Sequence, residues 1–525
     1  MVKYMNNNSG FQQWNANRDA SRPKSKWGGI LWWFILFLAS WWLLSWWMAP
    51  NDTNTTTTET DIELVDVSAV PVSEIVSENL TAQVQGLRIS DIELLKYASD
   101  ASDDESGPVV LLGSDNSYAL VGLLANGTDA PTQTTVWTQN GDTYTWRNSD
   151  GVEFTRKITV DGYVISVSDT VNNTAAKDIS VVPYAEILRA NDMTSSAGVY
   201  TGSVAYVDSD LEREDWSRIA DKSFAYTTTN GFIGFVDQYW ETILSVASPE
   251  QTMRVRPVGE LFRADVASAP VNIVAGETKT ITTNLYMGPR DNKILDIADA
   301  TIPGISDTVD YGWFWFFVQP ILWLLNILNS FVMNYGVAII LMTLLMRLAM
   351  WPLTRKSYVS MMAMQKMQPE MARIQKLYAN DKARLQMEML RLYQTHKTSP
   401  MSGCLPMLIQ IPIFFALYKA LLISVQMRSA HFLWISDLAS MDPYFILPIL
   451  MGATMWLQQY LQAPTAQKNA PANDPAAQTQ RVMKWMPLIF TVMFAWMPAG
   501  LVLYWTISNV FGIGQMYYIK KRLQK

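Results

Sequence analysis

Arg347 lies in the apolar run Tyr335–Thr354, 20 residues long and sufficient to cross a bilayer. A cation held centrally in such a helix costs roughly 2.5–3.5 kcal/mol on the lenient insertion scale. The usual remedy is a carboxylate on a neighbouring span, yet no Asp or Glu occurs in any of the six apolar segments assigned below. An unpaired guanidinium must reach water, a lipid headgroup or backbone carbonyls, so the pattern predicts a polar, hydrated recess in the membrane. The competing reading places Arg347 about 8 residues, roughly 12 Å, from the cytoplasmic end of its helix, from where it snorkels to headgroups. Other polar residues sit where they could complete a recess. Thr343, four residues earlier, shares the Arg347 face. Gln410 lies between Pro406 and Pro412, which free backbone carbonyls that need partners. Gln458 and Gln459 lie low in the next span, and Tyr504, Ser508 and Asn509 mark the last. Singly, each reads as a helix–helix hydrogen bond. Together they predict a polar concavity open to the cytoplasm that attracts polar or acidic groups.

Nothing in the chain points to catalysis, a metal or a cofactor. Cys404 is the only cysteine, which excludes an intrachain disulfide and a cysteine metal cluster. His396 and His431 are the only histidines, which argues against His-based zinc sites and most triads. No GxxxxGK[ST] loop is present.

The elements that carry these residues follow from composition. Residues 50–312 hold 16 Lys/Arg against 40 Asp/Glu, while the remainder holds 24 against 7. An acidic, Thr- and Asp-rich region followed by an apolar, Met- and Trp-rich one reads as a soluble domain joined to a membrane domain. Residues 1–26 carry Lys3, Arg18, Arg22, Lys24 and Lys26, and residues 27–49 form a Trp-rich apolar segment without a small-x-small cleavage pattern. That reads as a cytoplasmic N-terminus and an uncleaved signal anchor. A Thr-rich linker, 50–79, leads to a β domain over 80–305. Phe154–Val160 and Tyr163–Val167 alternate about Asp161-Gly162, a strong hairpin signal. Thr134–Thr138 and Thr143–Trp146, turning at Asn140-Gly141-Asp142, predict another, and Thr280–Tyr286 a closing strand cut off by Gly288-Pro289. Many short strands with such turns predict an antiparallel β-sandwich on the extracytoplasmic face.

Residues 306–332, interrupted by Gln319-Pro320, read as an interfacial helix on the outer surface. The core, 333–525, then spans the membrane at about 335–354, 404–426, 443–462, 482–498 and 500–519. The 355–403 loop carries nine Lys/Arg against three Asp/Glu, and the tail carries Lys520, Lys521, Arg522 and Lys525. Both are placed inside, and six spans with one interfacial helix satisfy the positive-inside rule. The span at 482–498 is short, which predicts local bilayer thinning. Within 355–397, Met364, Met367 and Met371 recur at helical spacing ahead of Asn380-Asp381, predicting a helical hairpin. Its Met stripe is either the seam of the hairpin or a compliant surface for apolar peptides.

Tyr311-Gly-Trp313, Arg347 with Pro352-Leu-Thr354, Gly403-Cys-Leu-Pro406, Gln410-Ile-Pro-Ile-Phe414, Asp442-Pro-Tyr444 and Pro498-Ala-Gly-Leu-Val-Leu-Tyr504 resemble the bacterial YidC membrane-protein insertase family. The resemblance runs in unbroken order over roughly 285–520. It implies a periplasmic β-supersandwich and a five-helix groove core in the inner membrane, with both termini cytoplasmic. It implies that Arg347 is a groove arginine that draws in polar client segments, with Thr343, Gln410, Gln458, Tyr504, Trp505, Ser508 and Asn509 around it. It further implies a hydrophobic slide at Phe414, Met451 and Phe494, and a cytoplasmic hairpin that regulates clients. The implied partners are nascent membrane proteins, the ribosome, Sec translocon components and lipids, with no nucleic acid beyond ribosome contact. Trp505 departs from the family's usual tyrosine and loses a hydroxyl. A transporter is the main rival, but proton coupling needs intramembrane Asp, Glu or His. An envelope enzyme or sugar-binding module built on the sandwich is the other, and no carboxylate pair there stands out.

Overall fold

The structure is a computed structural model that describes residues 65–113, 116–190, 199–248, 250–396, 405–462 and 484–523. The expected cytoplasmic N-terminus and signal anchor, Cys404 and the 463–481 loop lie outside the described residues.

Alternating strands build two antiparallel sheets. One runs β1 (Val72–Val76), β2 (Leu80–Gln85), β3 (Arg88–Asp100), β5 (Tyr118–Asn126), β10 (Ile179–Ala190), β17 (Leu261–Ser268), β16 (Gln251–Val258), β13 (Phe224–Thr228). To it are added β4 (Asp103–Leu111) on β3 and β18 (Val271–Ile273) on β10. The other runs β12 (Asp210–Asp215), β11 (Gly202–Val207), β14 (Gly231–Val236), β15 (Trp240–Val246), β19 (Thr278–Pro289), β9 (Val164–Asn172), β8 (Glu153–Asp161), β7 (Thr143–Arg147), β6 (Thr138–Asn140). Period-two burial, as in Leu80, Ala82 and Val84 or Phe154, Arg156 and Ile158, gives each sheet one inner face.

Several boundaries differ from the sequence expectation. Val72–Val76 forms an edge strand inside the supposed linker, held by its full register against β2. In the β8–β9 hairpin Asp161 pairs with Val164, so the turn is Gly162-Tyr163, one residue later than expected. Only the first turn residue, Gly162, has positive φ (+62°), which fits a turn demanding glycine at that place. In the next hairpin Thr134–Trp137 lies outside the strand, which starts at Thr138 and turns at Gly141-Asp142. The closing strand continues through Gly288-Pro289, because Trp240 and Glu241 of β15 still pair with them.

A strap leaves β19 through α2 (Asn292–Ala298), after the single-turn α1 (Trp216–Asp221) within the sandwich, and through a short 3₁₀ turn, Ile305–Thr308. It reaches α3 (Trp315–Val332), which is followed by α4 (Tyr335–Ala349), α5 (Trp351–Leu377), α6 (Lys382–Thr395), α7 (Leu405–Ile423), α8 (Ile446–Gln462), α9 (Met486–Phe494) and α10 (Ala499–Leu523). Helix α4 packs against α3 and α10, α8 against α9 and α10, and α7 against α3 and α10. Asn334 caps α4, and Asp381 caps α6 by accepting from the Arg384 amide at 3.0 Å. Among the described residues α3 is the one straight helix long and apolar enough to cross a membrane.

Two expected spans change shape. The 335–354 run does not continue straight: α4 ends at Ala349 and the chain bends by 63° into α5. Pro352 cannot donate to the Leu348 carbonyl and its ring crowds that turn, which explains a bend there. The expected 482–498 span is only nine helical residues long, bounded by Pro487 in its first turn and Pro498 beyond its end. Helices α5 and α6 pack on each other, and Met367 and Leu392 are buried while Met364 and Met371 stay half-buried.

Candidate functional site

The bend moves Arg347 into the last turn of α4, two residues from the helix end. Carbonyls at a helix C-terminus carry partial negative charge, so this placement favours a cation there. The position is no longer mid-helix, as the unbroken run implied.

Arg347 is half-buried, and its Nε donates to Ser508 Oγ at 2.7 Å, with Nη2 aimed at the same hydroxyl. No carboxylate among the described residues lies within ion-pair distance of it. A guanidinium has five N–H donors and one serine oxygen cannot satisfy them all. Among the described residues its hydrogen bonds run from Nε and Nη2 to Ser508, and the residue as a whole is only half-buried.

Around it, α10 supplies a polar face in which Tyr504, Ser508 and Gln515 recur at helical spacing. Gln515 Nε2 donates to the Arg347 carbonyl at 3.4 Å, anchoring the bend to α10. Gly512, on the same face, is where α8 comes close: a Cβ built there would lie 3.3 Å from Gln458 Nε2 and 3.9 Å from Arg347 Nη1. Tyr358 of α5 donates to the Gly512 carbonyl at 3.5 Å. Gln410 donates to Tyr504 Oη, tying α7 to α10 one turn away from Ser508.

The structure thus brings Arg347, Ser508, Gln458, Gln410 and Tyr504 around one side of α10. It does not bring all the expected residues there. Thr343 is fully buried and its hydroxyl donates back to Ile339 O at 2.6 Å. Asn509 faces α8, where its amide donates to Thr454 Oγ1 at 3.3 Å. Trp505 joins an aromatic cluster, with ring centroids 5.6 Å from Phe414 and 5.3 Å from Phe494. In that setting the absent hydroxyl has no polar face to miss. Phe490 completes the cluster, 5.8 Å from Phe494. Met451 and Phe494 are buried at 0% and 1% exposure, while Phe414 is half-buried.

Gln515, Thr454, Tyr358 and Phe490 were not singled out in the sequence. Gln515 had a signal, its seven-residue spacing from Ser508; the others carry none that distinguishes them from ordinary helix residues. A second cation was also passed over. Lys419, in α7, pairs at 2.8 Å with Asp310 of the strap.

Outside the helices, Asp310 is pushed up by burial but held below the usual carboxylate range by the Lys419 ammonium and by the Gly312 amide. Glu241 of β15 is fully buried 3.8 Å from Arg290, and burial raises it to about 7 against the pull of that guanidinium.

The profile of the family described as 60Kd inner membrane protein matches residues 327–525, and that of the YidC periplasmic domain matches 74–324. A protein of Aeromonas hydrophila named membrane protein insertase YidC is 35% identical over 478 residues, covering 85% of each chain. One of the same name from Rickettsia akari is 34% identical over 515 residues, covering 88% of this chain and 89% of its own. A crystal structure described as active YidC insertase with the first transmembrane domain resolved aligns with 86% of this chain and 96% of its own. That alignment has 20% identity and a TM-score of 0.39, so the sequence relationship decides the matter. The periplasmic profile spans the strand region and the inner-membrane profile covers the helices from α4 onward, and the chain belongs to the YidC family of bacterial membrane-protein insertases.

Proposed function

We propose that the face of α10 carrying Ser508, with Arg347, Gln458 and Gln410, is a hydrophilic groove that receives the polar segment of an incoming membrane protein. The observation that carries this reading is Arg347 itself: a half-buried cation bonded to a serine hydroxyl, with no carboxylate within ion-pair distance among the described residues. Such a group offers hydrogen bonds and charge to an acidic or polar stretch that must shed part of its hydration. The adjoining apolar stretch slides past the aromatic cluster around Phe414 and Trp505 and leaves into lipid. Burial of about 20 apolar residues drives the step, at roughly 25 cal/mol per Å² removed from water. Met451 and Phe494 enter this path only if α9 gives way, because both are covered here.

Helix α3 lies along the outer surface in this reading. Arg428 donates to the carbonyls of Ala98 and Ser99 in β3 at 2.8 and 2.7 Å, and Asn334, at the start of α4, donates to the His431 carbonyl at 3.0 Å. The C-terminal end of α3 is therefore near the sandwich side, which supports a surface helix fed from the strap at its other end. Trp313, Trp315, Trp323 and Phe331 are exposed along it, suited to headgroups and upper acyl chains. With α3 outside, α4 runs inward, and the basic α5–α6 pair and the C-terminal lysines reach the cytoplasm, where the ribosome and the Sec translocon are the natural partners.

The test is insertion of a small single-span protein with an acidic extracytoplasmic tail. Arg347→Ala should lower its insertion about tenfold or more, and Arg347→Lys should retain most of it, since a placed charge is what matters. Full activity of Arg347→Ala on that client would remove the electrostatic capture.

A further inference from the structure

Helix α7 carries groove side chains on one face and is gripped from outside on another. At about 100° per residue, Gln410 and Phe414 point one way, while Phe415, Lys419 and Leu422 point roughly 130° around the axis. The first face meets α10 and the aromatic cluster, through Gln410 to Tyr504 and Phe414 to Trp505. The second face meets the sandwich and its strap. The Phe415 ring stacks on Phe314 at 6.0 Å and 5°. Lys419 Nζ binds Asp310 Oδ2 at 2.8 Å, and Gln238, just before β15, donates to the Leu422 carbonyl at 2.9 Å. Just past the helix, Gln426 donates to Asp291 Oδ2 at 2.6 Å.

These contacts differ from ordinary packing in one respect. The Lys419 and Asp310 side chains are only 13% and 30% exposed, and the pair couples a helix of the groove to a segment continuous with the periplasmic strands. Gly312, at φ +68°, lets the strap turn across Lys419: a Cβ there would lie 3.7 Å from its Cε, with a strained backbone as well. Apolar helix surfaces slide and rotate easily against one another, whereas a partly buried hydrogen-bonded ion pair has one favourable register.

We propose that Asp310 is a positioning residue for the groove: through Lys419 it fixes the rotation and height of α7, and with them the places of Gln410 and Phe414. The proposal rests on the groove reading above for its functional consequence, but its structural consequence is measurable alone.

The test uses the full chain in phosphatidylethanolamine–phosphatidylglycerol vesicles on a Cys404→Ser background. Spin labels are placed at the exposed positions Ile411 of α7 and Val510 of α10 after each is changed to Cys. Asp310→Asn, Lys419→Met and the double variant should each shift or broaden the label-to-label distance by about 2 Å, the scale of helix shifts in packed bundles. Each should also lower insertion of the acidic-tailed client about fivefold, and Asp310→Glu should restore both readouts. An unchanged distance in Asp310→Asn overturns the proposal, whether or not insertion falls. So does a double variant that returns to the parental distance, which would mean that the single changes act only by stranding a charge. If Arg347→Ala inserts normally while the distance still depends on Asp310, the positioning stands and the capture reading alone fails.

Discussion

Arg156 and Arg347 are both arginines withdrawn from bulk solvent, and their surroundings are opposite. In the sandwich, Arg156 on β8 faces the core with its side chain 4% exposed, and Asp169 stands directly across on β9 at 8%. Two charge-assisted bonds of 2.8 and 2.9 Å join them, and the remaining reach of the guanidinium goes to the Val121 carbonyl at 2.8 Å. In the helical region, Arg347 bonds to a hydroxyl, and no carboxylate among the described residues pairs with it. A buried arginine whose charge is matched by a carboxylate is closed to ligands. One left unmatched at the edge of a membrane helix retains its pull on whatever arrives. The difference separates an arginine that holds a fold from one that can serve clients.

The largest expected effect tests the closed partner. Arg156→Ala leaves Asp169 buried without a counter-charge and should destabilise the sandwich by about 3–5 kcal/mol, read as thermal unfolding of the full chain in detergent. Arg347→Ala removes a hydrogen bond to a hydroxyl and should cost about 1 kcal/mol or less in the same assay. Comparable losses at the two sites would break the distinction.

A second change converts one class of arginine into the other. Ser508→Asp places a carboxylate within reach of the Arg347 guanidinium and should close it as Asp169 closes Arg156. Insertion of the acidic-tailed client should fall about tenfold, toward the Arg347→Ala level, while the helical region stays folded. Undiminished insertion by Ser508→Asp would show that the free charge of Arg347 is not what the client meets.

The contrast also marks what the sequence could reveal. Within the β domain, period-two patterns and turn residues located most strands, because inner and outer faces differ along each one. They missed by one residue at Gly162, since an Asp-Gly pair names a turn without fixing its register. The edge strand Val72–Val76 escaped because its pattern is half exposed and its support comes only from β2. In the helical region, the lack of Asp and Glu within the apolar segments was legible from types alone. The partner of Arg347 was not, because Ser508 lies 161 residues away and one hydroxyl on an apolar helix looks like any other. The bend at Met350 was signalled by Pro352, but an unbroken apolar run concealed it. Lys419 was overlooked for the reverse reason: its acid, Asp310, lies outside the apolar segment in which a partner was sought.

Glu241 and Arg290 sharpen the comparison, because they stand between the two cases. Both are buried, but their closest approach is 3.8 Å, too long for the bonds that join Arg156 to Asp169. Arg290 instead donates to the carbonyls of Tyr200, Asp237 and Thr308, three acceptors where the strap meets the sandwich. Glu241 therefore bears most of its own desolvation, which raises it to about 7 from the usual 4.5. A raised carboxyl means that the folded chain holds this proton more tightly than the unfolded one. Its stabilising contribution is complete below pH 4.5 and is lost as pH climbs through 7, by on the order of 1–3 kcal/mol. Glu241→Gln keeps the shape and abolishes the titration, while Arg290 keeps its carbonyls. Amide hydrogen exchange in β15 and β19, corrected for intrinsic rates, should show protection falling between pH 6 and 8 in the parent and level in Glu241→Gln, each pH set about one unit either side of the midpoint. Parallel slopes in the two proteins would mean that Glu241 is matched as well as Asp169, and that the looser 3.8 Å geometry carries no cost.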